Sequence, residues 1–121
     1  MLILILDDMQ HRHDVIGHML ERKGHKIIHA MTYDQAIKLM QEFHFDGMFL
    51  DHDLQEFVRG ARVERSGTHV AAFIANELPV SHRPKKIVIH SWSETGADRM
   101  EELLTGLDIV VEKRPFSSRW I

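Results

Sequence analysis

Short continuous apolar runs alternate along this chain with stretches where apolar residues recur every three or four positions, the respective signatures of buried strands and amphipathic helices. Leu2 to Leu6 is unbroken, the pattern of a strand covered on both faces, and it stops at Asp7-Asp8. From Gln10 to Lys23, Val15, Ile16, Met19 and Leu20 fall at helical spacing, and Gly24 stands where a helix C-cap is preferred. Lys26 to Ala30, apolar at Ile27 and Ile28, suits an edge strand. Tyr33, Ala36, Ile37, Met40 and Phe43 then mark a second helix opened by Thr32 or Asp34. Gly47 to Leu50 is a third strand that ends at Asp51.

Gln55 to Gly67 has no convincing period and predicts a long functional connection, a lid or substrate loop. A third helix is predicted from about Thr68 to Glu77, burying Val70, Ala71, Phe73, Ile74 and Leu78 and stopped by Pro79. Lys86 to Ile89 is a fourth strand ending at His90-Ser91. A fourth helix begins near Thr95 to Ala97 and buries Met100, Leu103 and Leu104. Asp108 to Val111 is the fifth strand, running into Glu112-Lys113-Arg114-Pro115-Phe116.

Strands alternating with helices in this way predict an α/β fold, a doubly wound, flavodoxin-like parallel sheet of order 2-1-3-4-5, because parallel neighbours need right-handed crossovers. The expectation is one domain over residues 1–121. In that order the first and third strands flank the switch point, where ligands bind outside the strand ends. Asp7, Asp8, Asp51, Asp53, His90, Ser91 and Arg114 would share that rim.

Composition narrows the chemistry. With 15 Lys plus Arg against 18 Asp plus Glu, a formal charge of −3, there is no basic surplus to hold duplex DNA, whereas a small phosphorylated ligand is compatible. The absence of Cys excludes disulfides, thiolate metal sites and cysteine nucleophiles, and agrees with an expected cytoplasmic location. Leu2 to Leu6 is too short to span a bilayer and carries no leader features, so no membrane segment is expected. Of the ten His, His11, His13, His18, His25, His29, His44 and His82 read as surface or capping residues without zinc-site spacing, with His11 and His13 within reach of the rim. Arg59, Arg62 and Arg65 read as a solvated loop face rather than a nucleotide clamp.

The set Asp7-Asp8, Asp51, Ser91 and Lys113-Arg114-Pro115-Phe116 resembles the receiver domain of two-component signalling. Receivers carry an acidic pair, a phosphate-accepting Asp, a Ser or Thr and a Lys before Pro-Phe after the corresponding strands. This chain departs from them in three ways. Arg114 holds the Lys position, and Arg presents a planar fork where Lys presents a point charge. His52 and Asp53 follow Asp51, and His90 precedes Ser91, adding proton-transfer groups. The chain also ends soon after its fifth strand, without the final helix of receivers.

Those departures are similar to a narrower branch, the cyclic-phosphate-processing receiver-like proteins. The residues that carry this likeness are Asp7-Asp8 with Arg12, Asp51-His52-Asp53-Leu54, Gly67-Thr68-His69, and His90-Ser91 with Gly96 and Met100. Ser93 stands where an Asn is expected. The resemblance implies a phosphoesterase acting on a cyclic phosphate, either an RNA 2′,3′-cyclic end or a cyclic nucleotide.

The residues suit that chemistry. Mg²⁺ or Mn²⁺ on Asp7, Asp8 and Asp51 would polarise a phosphate. His52 and His90 are candidates for general base and acid, with Ser91 beside them. Arg12 and Arg114 would clamp phosphate, and Thr68, Gly96 and the backbone around Thr95-Gly96-Ala97 would add donors at helix starts. His69 is a third imidazole candidate. Trp92 is placed either to stack on a base or to shield the sheet edge. An alternative with the same atoms makes Asp51 a covalent nucleophile and Asp53 its acid/base partner. Two other functions fit: a phosphoacceptor receiver modified on Asp51, and a module that binds phosphate or protein without turnover. Trp120 is expected to cover apolar surface left by the absent helix, where a homodimer contact or partner would sit.

Overall fold

The computed structural model describes residues 1–54, 56–58, 61–63 and 65–117. Strands β1 (Leu2–Leu6), β2 (Lys26–Ala30), β3 (Gly47–Leu50), β6 (Lys86–Ile89) and β7 (Val110–Lys113) form one parallel sheet in the order β2-β1-β3-β6-β7. This is the predicted 2-1-3-4-5 order, with β1 and β3 at the reversal. Helices α1 (Gln10–Arg22), α2 (Tyr33–Glu42), α3 (Gly67–Asn76) and α4 (Glu94–Leu104) make the crossovers. Residues 114–117, which follow β7, contain no helix.

Strand alternation splits the core into two layers. Leu4, Leu6, Met48, Leu50, Ile87 and Ile89 face α2, α3 and α4, while Ile3, Ile5, Phe49 and Val88 face α1 and Phe116. Ile3, Phe49 and Val88 are buried on the face where a homodimer contact or partner is expected, with Trp120 as cover. Trp120, assigned to that task from the sequence, lies outside the described residues.

Two elements differ from expectation. The segment predicted as an irregular loop contains a two-stranded antiparallel hairpin, β4 (Glu56–Val58) and β5 (Ala61–Val63). Strands of three residues are too short to show an alternating period. The last strand starts two residues later than predicted because the turn after α4 extends through Gly106 (φ 82°) and Asp108 (φ 61°). Asp108 occupies the left-handed region, which Asp tolerates better than most residues. The predicted N-cap of α2 is confirmed: the Thr32 side chain accepts from the Gln35 N–H at 3.1 Å.

Candidate active site at the strand ends

Parallel pairing continues one residue past the strands and sets the site. The Asp51 N–H donates to Leu6 O (3.0 Å), His90 N–H to Leu50 O (3.1 Å) and Arg114 N–H to Ile89 O (2.8 Å). The first residue after each strand is thus held in register with its neighbour, and three buried polar side chains meet. Asp7, Asp51 and His90 are each no more than 2% exposed, and they offer ligand atoms within 4.8 Å of one another.

His90 Nε2 lies 2.8 Å from Asp7 Oδ2, and the carboxylate there fixes the tautomer: Nε2 carries the proton and donates. Nδ1 is then a buried lone pair with no hydrogen-bond partner. Burial pushes His90 below its ordinary pKa more strongly than Asp7 pulls it up, so the ring is neutral at pH 7. Burial also acts to raise Asp7, but the hydrogen bonds from His90 and from the Met9 N–H (2.8 Å) outweigh it, and Asp7 stays below the usual carboxylate range. Asp51 has the opposite balance. Burial, with the negative charge of Asp7 beside it, lifts Asp51 to about 7, opposed in part by Arg12.

Arg12 supplies the cation. Its Nη1 lies 3.4 Å from Asp7 Oδ2 and 3.5 Å from Asp51 Oδ2, and its guanidinium carbon lies 5.3 Å from the centroids of both the Trp92 and Phe116 rings. Two carboxylates on one side and two aromatic rings on the other hold the group in place. Trp92 is itself pinned, since Nε1–H donates to Phe116 O at 2.9 Å.

Around this centre, His52 Nδ1 pairs with Asp53 Oδ1 at 2.9 Å, the carboxylate being 74% exposed. Asp53 therefore meets the imidazole at the rim. The His52 ring lies against Gly96: a Cβ there would come within 2.4 Å of His52 Cγ. Gly67 is tighter still, since its Cβ would fall 2.2 Å from Asp51 O and 2.8 Å from His52 Cα. These two glycines let α3 and α4 close on the end of β3. Ser91 is buried, and its Oγ accepts from the Ser93 N–H, while Ser93 caps α4 through Gly96 N–H.

Several sequence candidates sit elsewhere. Asp8 is half-buried and outside the group of three. His69 Nδ1 accepts from the Ser66 N–H at 3.0 Å as half of the capping box of α3, and Thr68 Oγ1 is buried without a partner. Arg114 lines a groove with Ile3, Phe49, Val88 and Glu112, on the α1 face of the sheet. Lys113 is tied to α4, with Nζ bonded to Asp98 and, at 3.4 Å, to Glu101. Arg65 pairs with Asp34 and stacks on Tyr33, whereas Arg59 and the side chain of Arg62 lie outside the described residues. His13, read from the sequence as a surface residue, is buried: Nε2 contacts Asp7 O at 2.8 Å and Nδ1 meets His29 Nδ1 at 2.7 Å. Its spacing to Ile16 and Leu20 puts it on the buried stripe of α1, and that spacing was the available signal.

Beside Ser91 opens a cleft of about 600 Å³, walled by Trp92, Glu94, Asp98, Lys113 and Pro115. No described helix is long and apolar enough to cross a membrane.

Among solved structures, the chain is similar to the response regulator TrrA of Thermotoga maritima in complex with Mg²⁺-BeF, at 20% identity and a TM-score of 0.71 over 96% of this chain and 86% of that one. It is also similar to a CheY-like receiver domain from Methylobacillus flagellatus (19%, TM-score 0.69, covering 98% and 89%). A response regulator from Burkholderia pseudomallei with a phosphorylated aspartic acid, calcium ion and citrate matches at 21% and 0.69, covering 98% and 62%. These likenesses establish the receiver fold. No curated protein sequence matches significantly. The family model of the cyclic-phosphate processing receiver domain matches residues 2–106, and with most of its length so matched the chain belongs to that family.

Proposed function

We propose that the protein is a metal-dependent phosphoesterase that opens a cyclic phosphate, on an RNA end or a nucleotide. The observation that carries this reading is the convergence of Asp7, Asp51 and His90 beneath a stacked Arg12. A buried carboxylate pair with one member raised to about 7 is an unbalanced negative site, and its two oxygen donors with one imidazole suit a divalent ion such as Mn²⁺ or Mg²⁺. Asp7 and Asp51 would hold the ion, with His90 either as third donor or orienting Asp7 through Nε2–H. When bound, the ion offsets phosphate charge and acidifies water.

The remaining steps use the chain's own groups. Arg12, already positioned by its ring contacts, would bind the non-bridging phosphate oxygens through its N–H fork. His52 would move the proton: Asp53 takes Nδ1–H and leaves Nε2 to accept a proton from water or return one to the departing alkoxide. His90 is less suited to that task because its Nε2–H is committed to Asp7. Gly96 leaves room for the His52 ring, and the capped start of α4 adds N–H donors.

A second reading, a phosphoacceptor receiver, is favoured by the place of Asp51 at the end of β3 in a receiver fold, and by the phosphorylated aspartic acid of the Burkholderia pseudomallei neighbour. Against it, Lys113 is held by Asp98 and Glu101 of α4 rather than by the Asp7–Asp51 pair. A phosphorus NMR time course with 2′,3′-cyclic and 3′,5′-cyclic nucleotides, with Mn²⁺, Mg²⁺ or chelator, separates the two. Metal-dependent ring opening, lost in Asp51→Asn and slowed at least about a hundredfold in His52→Ala, is the expected result. No opening, with acetyl phosphate labelling Asp51 instead, would transfer the protein to the signalling reading.

A further inference from the structure

The cleft beside Ser91 is built differently from the acidic centre. Trp92 forms one wall, and 67% of its surface remains exposed although Nε1–H is bonded to Phe116 O and Arg12 stacks on the ring. An indole held rigid in its plane, with most of its surface open to water, is a stacking platform for a flat ring. Arg12 is not among the residues that wall the cleft. The volume of about 600 Å³ falls in the range of small-ligand sites.

The same cleft carries charged side chains as well. Lys113 Nζ, which carries three N–H donors, is held by Asp98 and Glu101 on the cleft. Glu94, in the first turn of α4, adds an exposed acceptor on the same cleft. A donor and an acceptor carboxylate lining one cleft complement a ring edge that presents a carbonyl next to N–H groups. Among the common bases this is guanine, with O6 as acceptor and N1–H and the N2 amine as donors. Adenine offers one donor group beside a bare ring nitrogen. Cytosine offers an amine beside two acceptors, and uracil lacks the second donor.

We propose that this cleft is a guanine-recognition subsite, in which Trp92 stacks on the base, Glu94 accepts from N1–H and the N2 amine, and Lys113 donates to O6. The inference rests on the phosphoesterase reading for its geometry: Ser91 joins the cleft to His90, so a base in the cleft would place its own ribose phosphate toward Arg12.

The test is equilibrium binding of guanosine, adenosine, cytidine and uridine 3′-monophosphates, followed by calorimetry and tryptophan fluorescence. These probes carry no ring to open. Guanosine 3′-monophosphate should bind at least about tenfold tighter than the other three. Trp92→Ala should weaken every nucleotide about tenfold or more, and Trp92→Phe, which keeps a stacking ring, should recover most of that loss. Glu94→Gln should erase the guanine preference while leaving adenosine 3′-monophosphate unchanged. Equal affinity for the four bases, no binding of any of them, or a preference that survives Glu94→Gln would overturn the assignment. Turnover of all four 2′,3′-cyclic nucleotides at equal rates would reject the subsite and keep the phosphoesterase. Guanosine preference without any ring opening would do the reverse.

Discussion

Asp7 and Asp51 are the same residue type at equivalent strand ends, yet their environments drive them apart. Asp7 has His90 Nε2–H and the Met9 N–H, whereas at Asp51 burial and the Asp7 charge outweigh Arg12 and the backbone N–H at His52, and it rises to about 7. The sign of the resulting pH dependence follows directly. Between pH 4 and 7 the folded protein holds a proton on Asp51 that the unfolded chain has lost, so stability falls as pH rises and levels off above 7. Asp51→Asn removes that term. In the presence of chelator the variant should match the wild type near pH 4 and exceed it by about 4 kcal/mol at pH 8 in urea denaturation. A difference independent of pH would refute the charge argument. Both carboxylates were legible in the sequence because an apolar run that ends in Asp announces a strand terminus. Their unequal character was not, since it depends on His90, 83 positions away from Asp7. His13 escaped for another reason: a histidine on a helix is usually solvated, and only its place on the stripe with Ile16 and Leu20 marked it as buried.

At the scale of elements, the site depends on α3 and α4 closing against the end of β3. Gly67 N–H donates to His52 O at 2.7 Å, and an added Cβ would meet backbone at Asp51 and His52. Backbone cannot rotate aside as a side chain does, so Gly67→Ala should cost about 2–4 kcal/mol in stability, read as a lowered denaturation midpoint. At Gly96 the nearest atoms that an added Cβ would meet all belong to the His52 ring, which can swing outward. Gly96→Ala should cost about 1 kcal/mol in stability while displacing the His52–Asp53 pair, visible as a shift of the His52 resonances and, on the proposed mechanism, as slower ring opening. If Gly96→Ala proved the more destabilising of the two, the packing argument would fail. Helix and strand positions were readable from period and caps, as Thr32 shows. The hairpin was not, because three-residue strands leave no period, and β7 was displaced by the left-handed turn at Asp108. That displacement matters chemically, since it makes Lys113 the last strand residue and turns it to α4, with Arg114 on the other face.

The whole molecule follows one electrostatic logic: carboxylates are gathered at the rim of a parallel sheet whose order was deducible from right-handed crossovers, and there burial and the Asp7 charge together raise Asp51. A cation that relieves this crowding should stabilise the protein as a unit. At a hundredfold excess over its dissociation constant, Mn²⁺ should add about 2.7 kcal/mol, which for a domain of this size raises Tm by roughly 10 °C. Because Asp51 must lose its proton before it can bind an ion, apparent affinity should drop about tenfold between pH 8 and pH 6, and the Tm gain at fixed Mn²⁺ should shrink accordingly. Asp51→Asn, the more stable protein with chelator at pH 8, should gain least from the metal, so the two melting curves should converge as Mn²⁺ is added. Differential scanning calorimetry of both proteins at pH 6 and 8 reads all of these quantities. Equal metal-induced shifts in wild type and Asp51→Asn would place the ion elsewhere, whereas a wild-type shift of the same size at both pH values would mean that Asp51 is already ionised in the apo fold.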